Sequence, residues 1–475
     1  MSWSKARRIG VIGGAVGAVV LGRRAWKRAE IRRKNRVIDR RNRIVVLGAG
    51  FAGMHVAREL AKLLPAAELG DITLFDQNNY LLFTPMLTEV AGGELDPQHI
   101  VASPRRLSPR IHFEQARVRE INLAEKAITI SGPNDDASQR VVNADHLVIA
   151  LGSVPNYHHI PGLREHSLAM KNLADAAAFR NRVLACLERA DREDNDRARR
   201  ALLSFVVGGG GFTGVETMAA INDLARSVAK QYPGVRGDEI TTLIIEPGER
   251  LLPELSPDLA AFAQQKLEAR GVRVLLRTKI TSAGEEDVEI EGGRKIKTRT
   301  LIWAGGVTPN PLIAKLDCKR GRHGGVVVDE TCAVPEHRGV WALGDSAEIP
   351  KVDSKGTRAP TAQNATREGE LVARNIVAAM RGEAPQPFTF TPIGELALVG
   401  RHSGVAKLYG YHFSGFLAWA MWRAVYLSKM PGMAQRSRIA LDWLLDFIYG
   451  RNVAEFPVDA SVIGARPSEP VRYPG

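Results

Sequence analysis

RIVVLGAGFAGMHVA at residues 43–57 and LLSFVVGGGGFTGVE at residues 202–216 decide the fold. Each is an apolar run of strand type, then a glycine turn, then the start of a helical pattern. The glycines keep the GxGxxG spacing, with Gly48, Gly50 and Gly53 in the first copy and Gly209, Gly211 and Gly214 in the second. The first glycine permits the tight reversal, the second lets a pyrophosphate approach the backbone, and the third lets helix and strand pack closely, with the helix N-terminus toward the phosphates. Phe51 and Ala52 begin one helix, Phe212 and Thr213 the other. Each copy is also followed by an acid at the end of the next strand, suited to ribose hydroxyls: Asp76 in ITLFDQN and Glu246 in TTLIIEPGER. A chance glycine run explains one copy; here strand, turn, helix and acid all occur twice. Two such units predict two bound dinucleotides, most simply a flavin and a nicotinamide.

The 475-residue chain is long enough for two or three cores, and its 45% hydrophobic and 25% charged residues are ordinary for globular domains. Its net charge of +13 is concentrated in residues 1–43, where fourteen Lys or Arg face only Glu30 and Asp39, so the rest of the chain is nearly neutral. That placement argues against a nucleic-acid-binding surface on the folded domains. Cys186, Cys318 and Cys332 are scattered with no CxxC, which excludes a zinc-ribbon pattern and a local redox dithiol and fits a reducing compartment. No metal site is expected, and His158 and His159 read as surface or packing residues rather than ligands.

Ile9–Gly22 is an uncharged apolar run between Arg8 and Arg23. As a helix it would reach about 21 Å, short of a hydrocarbon core of roughly 30 Å. No small-residue cleavage site follows, so an uncleaved anchor is preferred to a removable targeting segment. The Arg-rich stretch 23–43 would keep the downstream domains on the cytoplasmic side and attract anionic lipid.

The predicted organisation is a basic arm (1–42), the first dinucleotide domain in two parts (43–161 and 312–400), the second inserted between them (162–311), a membrane-associated C-terminal region (401–456) and a tail (457–475). The insertion follows from GVWALGDSAEI, an apolar strand ending at Gly344 and Asp345, which most simply returns to the first sheet. Strand-type runs also lead into Gly152. Long helices are expected over 174–200 and 361–380. The C-terminal block reads as two helices broken at Pro431 and Gly432. Trp419, Trp422 and Tyr426 share one face, and Leu441, Leu444, Leu445 and Ile448 another. Aromatic and apolar faces beside Lys429, Arg436 and Arg438 suit a helix pair lying in a membrane interface, with a homodimer interface or a core-covering hairpin as rivals. The fold class is thus α/β: two Rossmann-like domains, one inserted in the other, plus C-terminal amphipathic helices.

In this order, GxGxxG, acid, alternating strands, GxGxxG, acid, WAGGV, GD and aromatic C-terminal helices, the chain resembles type II NADH dehydrogenases, the non-proton-pumping NADH:quinone oxidoreductases, over about residues 43–451. FDQNNYLLFTPMLTEVAGG, GGGFTGVE and the C-terminal block carry the specific likeness. The resemblance implies FAD at Gly48, Gly50, Phe51, Ala52, Gly53 and Asp76, with Gly152, Gly344 and Asp345 on its ribityl and pyrophosphate side. It implies NADH at Gly209, Gly211, Phe212, Thr213, Gly214, Glu246 and Gly306. A carboxylate at Glu246 favours NADH over NADPH because it repels a 2′-phosphate, although Arg250 lies near. Glu216 would lie by the nicotinamide and flavin rings; as a first-turn acid it also suits the helix dipole.

The family's quinone motif, AQxAxQ, is Ala362, Gln363, Asn364, Ala365, Thr366, Arg367 here. Gln363 matches and would hydrogen-bond a quinone carbonyl. Arg367 replaces the second Gln and leaves three readings: stabilising reduced quinone, binding lipid, or blocking the pocket.

The implied reaction is hydride transfer from NADH to FAD, then two electrons to membrane quinone at the cytoplasmic face of a cell inner membrane, with the flavin doing the organic chemistry. Two other classes remain open on sequence grounds. One is an NADH-dependent reductase of a small iron-sulfur protein, and the other a slowly turning membrane-bound NADH sensor or scaffold.

Overall fold

The computed structural model describes residues 43–64, 72–106, 108–133, 135–352, 356–391, 394–451 and 454–455. The arm, with its apolar run Ile9–Gly22, and the tail lie outside them.

Strand β1 (Ile44–Leu47) is buried at all four positions and leads through the first glycine turn into α1 (Phe51–Leu63). Next come β2 (Ile72–Asp76), the short helix α2 (Leu87–Ala91), β3 (Ile111–Gln115), an antiparallel meander over 117–143, and β4 (His146–Ile149). Strand β1 lies between β2 and β4, parallel to both. The chain then leaves along β5 (Ser153–Pro155).

The second unit contains α3 (Leu173–Asp191), β6 (Ser204–Gly208), α4 (Phe212–Val228), β7 (Thr241–Ile245), α5 (Pro257–Ala269), β8 (Val272–Leu275) and β9 (Thr300–Trp303). Its parallel sheet runs β8-β7-β6-β9. The chain returns along β10 (Val307–Pro309), antiparallel to β5 with Ser153 opposite Pro309, so both crossings form one ribbon. Strand β11 (Val340–Ala342) then pairs with β4 and completes a first sheet of order β11-β4-β1-β2-β3. One nucleotide-type domain is therefore inserted in the other.

Helix α6 (Ala362–Met380), capped by the Thr361 hydroxyl accepting from Asn364 N, packs on α1. The C-terminal region follows: β12 (Gly394–Gly400), β13 (Ser403–Leu408), β14 (Tyr411–Ser414), α7 (Gly415–Lys429) and α8 (Met433–Tyr449). Its three strands form an antiparallel sheet, so the boundary expected at residue 400 falls inside a hairpin, and β12 belongs with the C-terminal region.

The reason lies in packing. Ala397, Leu398, Val399, Val405 and Ala406 share one apolar core with Val215, Met218 and Leu224 of α4, and Met86, Leu87 and Val90 join it from the first domain. That core locks the C-terminal sheet to the second domain, while the first sheet has a core of its own.

The long helix expected over 174–200 is also two helices. Asn195 accepts from the N–H groups of Arg197 and Ala198 and so caps a new helix at Asp196–Leu202, after α3 ends at Asp191.

Candidate functional site

The two glycine turns repeat one another closely. Gly48 has φ +102° and Gly209 φ +114°. A Cβ on Gly53 would lie 1.9 Å from the Gly48 carbonyl oxygen, and one on Gly214 1.9 Å from that of Gly209. By contrast, a Cβ on Gly50 or Gly211 would meet nothing within 4 Å, so the second glycine of each turn faces open space. That is the cradle a pyrophosphate needs: bare backbone at a helix N-terminus.

Each acid is wired to its own turn. Asp76 accepts from Ala49 N at 2.6 Å and Asn78 N at 2.7 Å; Glu246 accepts from Gly210 N at 2.5 Å and Gly248 N at 2.6 Å. Burial pushes the Asp76 carboxyl up, and the two N–H groups oppose this. Remaining lone pairs on both acids are free to accept from ribose hydroxyls.

At the end of β4, Gly152 has φ +71° and open space above it, and its N–H donates to Ser346 Oγ at 3.0 Å. Asp345 accepts from the Ser153 hydroxyl, and Lys171 Nζ lies 2.8 Å from Ser153 Oγ and 3.4 Å from Asp345 Oδ2. Lys171 precedes α3, so this cluster ties the second domain to the first. Glu368 of α6 accepts from Gly344 N at 2.8 Å, and burial with the nearby Asp345 raises it to about 7. Gly306 is exposed at φ +111°, just beyond Ala304, whose N–H donates to Gly208 O, so the WAGG loop borders the second turn.

The parts converge at Glu216, the fifth residue of α4 and so just past the first turn, in which the sequence predicts it as an acid suited to the helix dipole. Its Oε1 accepts from Leu398 N at 3.0 Å and from Trp422 Nε1 at 3.2 Å, both groups of the C-terminal region. One side of Glu216 faces a small pocket, and burial of its carboxyl raises it to about 8. From Trp422 an aromatic series runs back to the first turn: Trp422 to Tyr426 at 4.6 Å, Tyr426 to Phe83 at 6.2 Å and Phe83 to Phe51 at 5.7 Å between ring centres.

This corrects the expectation for α7, whose Trp419, Trp422 and Tyr426 face points inward, with Trp422 only 1% exposed. Leu441, Leu444, Leu445 and Ile448 are exposed, as expected for an outward face, and Phe416, Leu417 and Phe447 are exposed with them.

Gln363 is half-buried at the start of α6. Arg367 is exposed, pairs with Glu370 at 2.9 Å and lies 5.7 Å above the Phe390 ring. Its charge reaches Lys429, whose Nζ lies 5.9 Å above the Tyr426 ring of that series. All three cysteines are free thiols. His158 and His159 are exposed, and His158 Nε2 bonds the Gly305 carbonyl at 2.9 Å. Among the described residues no cluster of His, Cys, Asp and Glu could hold a metal ion, and no helix is long and apolar enough to cross a membrane.

Sequence reading missed Lys171, Glu368 and Trp422's bond to Glu216. Each acts across at least eighteen residues of chain, up to 206, where no local pattern marks the partner.

Two acid-held glycine turns in separate parallel sheets define a protein that holds two dinucleotides. Residues 42–369 match the pyridine nucleotide-disulphide oxidoreductase family, and the chain belongs to it; residues 393–452 match the NDH2 C-terminal domain. A probable NADH dehydrogenase of Dictyostelium discoideum is 28% identical over 445 residues, covering 92% of this chain and 96% of that one. A type II NADH:quinone oxidoreductase of Mycobacterium tuberculosis is 29% identical over 438 residues, covering 90% and 91%. The structure of NDH2 from Plasmodium falciparum in complex with NADH superposes with a TM-score of 0.80 at 22% identity, covering 87% of this chain and 100% of that chain.

Proposed function

We propose that the chain is an FAD-dependent NADH:quinone oxidoreductase of the non-proton-pumping, type II kind, working at a membrane surface. The observation that carries this reading is the convergence at Glu216, where the helix of the second turn meets Leu398 and Trp422 of the C-terminal region, and Trp422 leads through Tyr426 and Phe83 to Phe51 of the first turn. Relatives named as type II NADH:quinone oxidoreductases match along the chain, C-terminal region included. A reductase of small iron-sulfur proteins has no use for that region, and the free cysteines offer no dithiol relay.

In this reading FAD occupies the first turn, with Gly48, Gly50, Phe51, Ala52, Gly53 and Asp76 on the adenosine and pyrophosphate side and Gly152, Gly344 and Asp345 along the ribityl chain. NADH occupies the second, at Gly209, Gly211, Phe212, Thr213, Gly214, Glu246 and Gly306. When bound, the flavin takes a hydride from NADH and passes two electrons to quinone. The chain's own groups fix distance and access: the turns hold the two phosphate backbones, the Asp345–Ser153–Lys171 cluster holds the domains in register, and Trp422 and Leu398 hold Glu216 where a proton can be given or taken. Gln363, half-buried at the start of α6, is the donor to a quinone carbonyl in this reading. Arg367 sits outside that contact, at the surface around the quinone entrance.

The outward face of α7 and α8, with Phe416, Leu417, Leu444, Phe447 and Ile448 exposed, suits insertion about 5–10 Å into the headgroup boundary. The Arg-rich segment 23–43 supports the cytoplasmic face of the inner membrane. A second copy covering the same apolar face is the rival; flotation with liposomes of protein lacking residues 1–42 separates the two, since without the arm a dimer closed over that face does not float.

The deciding experiment is reoxidation of NADH-reduced protein by a short-chain quinone, by a ferredoxin and by dissolved oxygen. Quinone is expected to be fastest by a wide margin. A rate no higher than that with oxygen alone would overturn the assignment.

A further inference from the structure

The pocket beside Glu216 belongs to neither glycine turn. Thr88 and Glu89 of α2, Glu94 just after it, Glu216 and Asp223 of α4, and Arg401 between β12 and β13 line it. Its outer rim reaches solvent at Arg401, whose side chain is 41% exposed; Arg401 N donates to Asp223 Oδ2 at 2.7 Å, and Asp223, its side chain 9% exposed, also pairs with Arg270. At the inner end Glu89 is 2% exposed. Between them the Thr88 hydroxyl, in a residue 6% exposed, has no hydrogen-bond partner among the described residues. A buried hydroxyl facing a polar pocket is where an ordered water makes its bonds.

The charges around Glu89 are shared unevenly. Arg423 is held between the rings of Trp419 and Trp443, at 4.3 and 4.5 Å. Its Nη2 lies 2.9 Å from Glu94 and 3.3 Å from Glu89, and Arg451 gives Glu94 a second guanidinium at 2.6 Å. Glu94 therefore takes most of the positive charge. Glu89 keeps the longer contact and an N–H from Trp443 at 3.2 Å, while burial and the charges of Glu94 and Glu216 push its carboxyl upward. Asp446 on α8, also raised by burial, faces the same group beside Arg401, and the His402 ring meets Trp419 edge-on at 5.0 Å between ring centres. Arg180 of α3 approaches from behind Gly93.

We propose that this pocket is a water-lined proton inlet, in which Glu89 holds and passes to Glu216 the proton that each turnover draws from the aqueous side. The inference rests on the NADH:quinone reading, whose balance demands it. NADH gives up one hydride, quinone becomes quinol by gaining two electrons and two protons, and the hydride carries only one of those protons. One proton per turnover comes from water. Glu216 gives its O–H proton toward the quinone side, the Glu89 O–H restores it, and water entering between Glu94 and Asp223 restores Glu89. Glu89 touches no substrate; it is a positioning residue for the proton.

The test uses the full-length, flavin-loaded protein in liposomes and separates the two half-reactions by stopped flow. Wild-type protein is first reoxidised with a short-chain quinone. Failure there removes the assigned function, and this inference with it. Given a working wild type, Glu89→Gln is expected to leave reduction by NADH within about twofold and to slow reoxidation by quinone about tenfold or more, with a larger solvent deuterium isotope effect. Glu89→Asp should recover part of the rate. Thr88→Val, which changes no charge, should slow reoxidation about threefold and serves if Glu89→Gln does not fold. Wild-type reoxidation rates and isotope effects in the Glu89→Gln protein, or in Thr88→Val where that is the folded variant, overturn the inlet. Equal slowing of both half-reactions overturns it too, since that is what a structural role produces.

Discussion

Beside the first glycine turn a second stretch of chain packs close to the start of α1, although Gly50 itself is exposed: a Cβ on Gly344 would sit 3.2 Å from that of Ala52 and 3.8 Å from that of Ala365, and Lys171 and Ser153 hold Asp345 alongside. Over the second turn Thr213, Gly306 and Val307 are exposed. The turns share glycines, acid and strand order, and differ in what flanks them. A closely flanked site suits a group that stays bound; an open one suits a nucleotide that arrives and leaves. The position two residues past the third glycine differs as well. In the first helix it is His55, whose Nδ1 bonds its own helix at the Phe51 carbonyl, 2.7 Å away. In the second it is Glu216, which reaches out to Leu398 and Trp422.

The sharpest way to break the comparison is to crowd each turn in the same manner. Gly53→Ala and Gly214→Ala each place a carbon 1.9 Å from a backbone oxygen, a clash costing about 1–3 kcal/mol or more even after relaxation. Gly53→Ala is expected to lose most of its bound flavin, read from visible absorbance after purification. Gly214→Ala should keep its flavin and bind NADH about tenfold more weakly. The opposite pattern would exchange the two assignments.

Next in size is Glu246→Ala. It removes the acceptor for two backbone N–H groups and the charge that repels a 2′-phosphate, so the preference for NADH over NADPH in kcat/KM should fall about tenfold. An unchanged ratio would take Glu246 out of the ribose site.

Glu216 gives a smaller, pH-dependent effect. Its folded pKa of about 8 lies above the ordinary carboxylate value, so the folded protein binds this proton more tightly than the unfolded chain. The resulting stability is complete below the ordinary carboxylate range and is lost as pH rises through about 8. Thermal melts of wild type and Glu216→Gln from about pH 5 to about pH 9 should therefore show the variant gaining on the wild type as pH rises. A constant gap would mean that Glu216 is ionised throughout. Glu368, also raised, acts alike in both proteins and cancels in the difference; Glu89 loses the upward push of the Glu216 charge in the variant, a smaller change beside the loss of the Glu216 proton itself.

Arg367→Gln, which restores the family motif, should be the mildest. The Arg367–Glu370 pair is exposed, worth about 1 kcal/mol at most, and turnover with a soluble quinone should stay within about twofold. A large loss would bring Arg367 into contact with the acceptor.

Much of this was legible because it rests on short-range chemistry. Glycine spacing, a strand-end acid and a Pro-Gly helix break are local, and each produced the element expected of it. The split at Asn195 was equally local: DREDNDRARR carries a capping residue, masked by its charged surroundings. The inward face of α7 was not legible. Spacing tells which of Trp419, Trp422 and Tyr426 lie together, but the partner that decides their direction, Glu216, stands about two hundred residues away. The same holds for Glu89, whose surroundings come from α4, α7 and α8 and leave no trace in TPMLTEV.

The β5–β10 ribbon has a practical side. Because Ser153 stands opposite Pro309, the two severed ends of the first domain are neighbours, and everything between them is one exchangeable cassette. A nucleotide module of altered preference could be spliced in at those two points with no change in connecting length, provided it brings the apolar face of α4 on which the C-terminal sheet rests.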